Sequence, residues 1–142
     1  MTRGLALVTV SLFAACGTVP PTQMRVMVEP PAYSVTMSSK LGLGLTPIAE
    51  APPGMKVRYR WSADGGYFLA QKETTNEILD LGRATVTSGG KLLWSYEEQE
   101  LGVLSDRPVA ITVITENVKN GKEIARTEMF LIWDGQYFRA KH

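Results

Sequence analysis

The run Lys56-Val57-Arg58-Tyr59-Arg60-Trp61 alternates a cation with an apolar side chain without a break. Successive side chains of an extended strand point to opposite faces, so Val57, Tyr59 and Trp61 share one side and Lys56, Arg58 and Arg60 the other. Burial of that strand is one-sided. Its backbone needs partner strands, and its apolar face needs a second layer to pack against.

Partners recur along the chain. Residues 24–28 form a first strand, ended by Pro30-Pro31 because proline cannot donate to a ladder. Residues 33–37 alternate apolar with polar, and Leu41, Leu43 and Leu45 repeat the sign with glycines between them. Those glycines leave one face bare, which suits an edge strand or one lying under another backbone. Asp64-Gly65-Gly66 turns the chain into an apolar run at residues 67–69, and residues 78–81, 84–87 and 91–96 follow as short strands. Glu97, Glu98 and Glu100 read as a solvated strand end or loop. No segment sustains a helical period, and the chain reads as all-β.

Residues 108–115 and 124–133 form a hairpin about Asn120-Gly121, the favoured pair for a two-residue type I′ turn. That turn sets Ile111 opposite Phe130, Val109 opposite Ile132 and Val113 opposite Glu128. One face then carries Val109, Ile111, Val113, Phe130 and Ile132. The other carries Thr112, Ile114, Met129, Leu131 and Trp133, and it too is apolar away from the turn. A two-layer sandwich buries only one of them. Ile114, Met129, Leu131 and Trp133 are therefore the expected interaction surface, unless residues 136–138 or an N-terminal strand cover them. Asp134-Gly135 makes a second tight turn into a short terminal strand.

Seven to nine short strands separated by turn signals point to an immunoglobulin-like antiparallel β-sandwich. The segment from Tyr59-Arg60-Trp61 through Asp64-Gly65-Gly66, with the Val-Thr-rich residues 109–115 and the turn Lys119-Asn120-Gly121-Lys122, resembles polycystic-kidney-disease-type repeats and related bacterial immunoglobulin-like domains. It covers residues 55–133. It implies a fold and no particular activity.

The single cysteine directs the address. Arg3, an apolar run over residues 5–15 and the small pair Ala14-Ala15 before Cys16 fit a secretory signal with its cleavage site. The order Leu12-Phe13-Ala14-Ala15-Cys16 resembles the lipobox of bacterial lipoproteins, with Phe13 where leucine is usual. The resemblance implies a mature chain beginning at a lipidated Cys16 and held in a membrane by acyl chains. Gly17 stands where an aspartate tends to retain such proteins in the inner membrane, so the outer membrane is expected in a Gram-negative source. The apolar run is shorter than the roughly 20 residues of a membrane span. The expected organisation is a signal peptide over 1–15, a tether over 16–23 and one sandwich domain over 24–142.

Charge and chemistry narrow the function. Fifteen Lys plus Arg against fourteen Asp plus Glu give a formal charge of +1, and nucleic acid, which calls for a basic patch or stripe, is not expected as a partner. With Cys16 acylated, no thiol remains for a disulfide or a redox couple. The only histidine, His142, stands at the chain end, so no Ser-His or Cys-His pair is expected, and no zinc site either. No cofactor and no enzymatic activity are expected. Asp64, Asp80, Glu97, Glu98, Glu100 and Asp106 offer oxygen ligands without the spacing of a calcium loop. The expected function is a lipid-anchored envelope module that binds or scaffolds a protein partner. The alternative is a small-ligand or calcium-binding module using Tyr67, Phe68 and nearby acids.

Overall fold

Trp61 has no solvent exposure and sits in a core built from two antiparallel sheets. The structure, a computed structural model, describes residues 23–141. Its strands are β1 (Met24–Glu29), β2 (Ala32–Tyr33), β3 (Leu43–Ala49), β4 (Val57–Ala63), β5 (Tyr67–Gln71), β6 (Ile78–Gly82), β7 (Ala84–Thr87), β8 (Leu92–Ser95), β9 (Val109–Asn117), β10 (Glu123–Trp133) and β11 (Phe138–Lys141). One sheet runs β1-β3-β8-β5-β6 and the other β2-β11-β10-β9-β4-β7.

Without β2, β6, β7 and β11 these orders reduce to β1-β3-β8-β5 and β4-β9-β10, the four-plus-three arrangement of an immunoglobulin constant-type sandwich. The described residues thus form eleven strands where seven to nine were expected. The surplus is short edge material. β6 and β7, separated by Arg83 alone, cross from the edge of one sheet to the edge of the other, and β1 and β2 do the same on the opposite side. Short crossing strands leave little open ladder for edge-to-edge association.

The alternation at β4 holds: Tyr59 and Trp61 are buried and Arg60 is exposed. Trp61 meets Phe68 of the other sheet edge-on, with ring centroids 6.0 Å apart, and its indole N–H donates to Thr87 Oγ1 at 3.0 Å. A second aromatic group fills the end of the sandwich opposite Gln23. There Phe138 packs edge-on against Tyr96 at 4.9 Å and Trp94 at 5.2 Å, and Trp94 donates to the Gly65 carbonyl. Gly44 of β3 and Gly42 just before it are explained by neighbouring backbone. A Cβ at Gly44 would lie 2.6 Å from the Glu29 carbonyl oxygen, and one at Gly42 2.7 Å from that of Trp94.

Three expectations need correction. The strand expected over 33–37 is only Ala32–Tyr33. Beyond it the Ser34 and Thr36 hydroxyls bond one another, the Ser34 hydroxyl accepts the Thr36 N–H and the Val35 N–H donates to Tyr96, so side chains take up groups a ladder would use. The glutamates after β8 form a 3-10 turn, Glu98–Glu100, and one helical turn, Leu101–Leu104.

The third correction is the hairpin register. Ile111 pairs with Met129, Val109 with Leu131 and Val113 with Thr127, one residue out from a two-residue turn. The connection holds four residues, 118–121, closed by Asn117 N–H donating to the Lys122 carbonyl and Gly121 N–H to the Asn117 carbonyl. A bulge between Glu123 and Ala125 then restores part of the shift. An odd net offset exchanges the faces of the returning strand.

Candidate interaction face

Because the register is shifted, Met129 and Leu131 point into the core with no exposure, and Trp133 packs partly buried against Phe138. Ile114 lies on the opposite face. The four residues expected to form an interaction surface therefore do not share one. Cys16 and His142 lie outside the described residues. β11 does not cover a face either, since it extends the sheet beside β10.

The outer face of the six-stranded sheet is instead built from alternate residues of β4, β9 and β10. Arg60 is opposite Ile114 and Ile114 opposite Arg126; Thr112 is opposite Glu128, and Ala110 opposite Phe130. Ile114, Phe130 and Ile132 are half-buried there, and Val86 of β7, opposite Arg60, is 47% exposed. A shallow hollow of about 270 Å³ opens between Val86, Arg60, Ser62 and Ile114.

The charges that frame this apolar strip are held in place. Glu116 accepts from Arg58 Nε at 2.9 Å and from both Nε and a terminal nitrogen of Arg60 at 3.1 Å. Two guanidiniums around one carboxylate, the Arg60 hydrogen bonds foremost, hold the Glu116 carboxyl below its ordinary value. Arg126 grips Glu123 in the same forked way, at 2.9 and 3.1 Å. Fixed arginines beside half-buried aliphatic and aromatic side chains are the composition enriched at protein–protein interfaces.

The residues considered for ligand binding are dispersed. Phe68 is core. Tyr67 is half-buried, and burial together with Glu97 raises its phenol pKa. Asp64 accepts the Ala110 N–H and pairs with Arg107, Asp80 accepts the Gly82 N–H, and Glu100 accepts the Glu97 N–H. Asp80 and Glu100 fasten their own turns, whereas Asp64 ties the turn after β4 to residues 107–110 at the start of β9. Among the described residues no three His, Cys, Asp or Glu side chains converge as metal ligands would, and no helix is long and apolar enough to cross a membrane. A polar cleft of about 570 Å³ lies on the other sheet between Lys40, Gln71, Glu73 and Lys91.

Against known protein families and curated proteins, the chain matches neither a family nor an individual protein.

The face was partly readable beforehand. Arg126 and Glu128 alternate with Thr127 and Met129, so the charged residues already assign Phe130 and Ile132 to the solvent side. Setting Glu128 opposite core Val113 would have aimed a carboxylate inward, which is the signal that the register needed a bulge.

Proposed function

We propose that this chain is a lipid-anchored protein of the bacterial envelope that acts without catalysis, binding a protein partner through the outer face of its six-stranded sheet. The observation that carries the reading is the strip of Ile114, Phe130, Ile132 and Val86 beside the clamped Arg58-Glu116-Arg60 group. Apolar side chains on an open sheet gain from burial by a partner, and arginines already fixed by Glu116 lose little conformational freedom on contact. The anchor rests on the lipobox resemblance around Cys16, and the outer membrane on Gly17 after it. The resemblance to polycystic-kidney-disease-type repeats is consistent with an extracytoplasmic module.

Two measurements test it. A palmitate analogue should label the wild type and leave Cys16→Ser unlabelled; equal labelling of both removes the anchor. A photoreactive residue at Ile132 should give a discrete adduct in cells, lost on Val86→Glu, which leaves the Glu116 clamp intact, with the melting temperature kept. An adduct that persists with Val86→Glu, or none from intact cells, removes this face as the binding surface.

A further inference from the structure

The first described residue, Gln23, fixes which end of the sandwich lies toward the chain that precedes it. Its carbonyl accepts the Glu50 N–H, and Met24 pairs with Ala49, so the chain enters beside the β3–β4 loop. Six residues lie between Cys16 and Gln23, and at full extension the stretch from one to the other spans at most about 25 Å. The eleven residues of β10 extend about 35 Å, so a tether of that reach keeps the entry end nearer the anchor than the far end.

That end has the composition of a membrane-facing surface. The β3–β4 loop and the tip of the β9–β10 hairpin are bridged by the Val118 N–H donating to the Lys56 carbonyl at 3.0 Å. A hollow of about 450 Å³ between the loops is lined by Pro52, Pro53, Met55 and Val118, with Lys56 and Lys119 at its sides. Val118 is 44% exposed, and Lys56, Lys119 and Lys122 are all exposed. Arg25 adds a cation beside Glu50, while Glu116 and Glu123 are already paired with arginines. The opposite end carries Glu97, Glu98 and Asp106, all exposed.

We propose that the loop pair carrying Lys56, Val118, Lys119 and Lys122 rests on an anionic lipid surface, standing the sandwich end-on. This rests on the lipid-anchor reading of Cys16. The lysines sit within a Debye length of the headgroups, the prolines, Met55 and Val118 meet the interfacial layer, and the outer sheet face stands upright above the bilayer, open to a partner from the side.

The test uses the mature acylated protein in phosphatidylcholine vesicles with and without phosphatidylglycerol. With the Cys16 sulfur acylated, Val118→Cys or, at the far end, Val103→Cys supplies the sole reactive thiol for a fluorophore. Val103 is 67% exposed and serves as the distal control. Lipid-borne quenchers should act severalfold more strongly at 118 than at 103 on anionic vesicles. Each of Lys56, Lys119 and Lys122 changed to Glu should weaken the contact about fivefold, so that the triple change abolishes the preference, and added salt should reduce it. Equal quenching at both positions overturns the orientation, and quenching at 118 that survives charge reversal and salt overturns the electrostatic contact. Wild-type protein that takes up the thiol label and washes off vesicles refutes the anchor, and the orientation with it, so the two failures read differently.

Discussion

Ile111 lies directly opposite Met129 across the β9–β10 hairpin, and both side chains are fully buried. Phe130, next to Met129 on β10, and Ile114, further along β9, face outward, half-buried. Charge at the two positions must then act differently. Met129→Glu buries a carboxylate without a partner and should remove more than about 4 kcal/mol, much of the stability of a domain this size. Phe130→Glu meets solvent and should cost less than about 1.5 kcal/mol. Urea titrations of both variants decide it, and a costlier Phe130→Glu would restore the register of a two-residue turn.

The architecture was legible because it follows from period-two alternation and turn residues, which are local properties. Residues 56–61 illustrate this: three cations and three apolar residues in strict alternation leave no second reading of the faces of β4. The hairpin was not fully legible because two non-local choices, a four-residue connection at 118–121 and a bulge at Glu123/Ala125, together determine which side of β10 turns inward. Tyr33 to Met37 failed for another reason: the hydroxyls of Ser34 and Tyr96 take the backbone N–H groups of Thr36 and Val35 that an extended ladder needs. The interaction face inherits the register error directly, since one residue of slip exchanged Met129 and Leu131 for Phe130 and Ile132.

The Trp61 indole N–H and Thr87 Oγ1, 3.0 Å apart, form a testable pair. Trp61→Ala should cost about 3–5 kcal/mol through the cavity it leaves, while Arg58→Ala on the other face of β4 should cost about 1 kcal/mol or less. Thr87→Val leaves the buried indole N–H without its acceptor and should cost about 1–3 kcal/mol. In a Trp61→Phe background the same change should become nearly neutral. A double-mutant cycle with no coupling would show that the hydrogen bond contributes nothing.

Gly66 and Gly90 both have positive φ, +69° and +81°, yet they are not equivalent. A Cβ at Gly66 would lie 2.5 Å from the Ser95 carbonyl oxygen and from the Trp94 ring, whereas nothing lies within 4 Å at Gly90. Gly90→Ala should cost only the left-handed strain of about 1–2 kcal/mol. Gly66→Ala adds overpacking against backbone and an immobile indole, for a total of about 2–5 kcal/mol. Thermal melts should rank Gly66→Ala well below Gly90→Ala, and equal melting temperatures would contradict the close approach at β5.

Acid should weaken the fold through carboxylates bound by arginines. Arg139, with the Tyr137 and Gln136 N–H groups, lowers Asp134 from its ordinary 3.8 to about 2. Arg60 and Arg58 lower Glu116 from 4.5, and Arg126 lowers Glu123 from the same value. A carboxyl more acidic in the folded chain binds fewer protons there than in the unfolded chain, so its contribution is complete above the unfolded value and disappears as pH falls through the folded one. Urea midpoints should hold steady above about pH 5 and decline from there toward about pH 2. Glu116→Gln should have a lower midpoint at neutral pH and a shallower acid slope. A Glu116→Gln profile parallel to the wild type would show that the Arg58-Glu116-Arg60 clamp does not couple to folding.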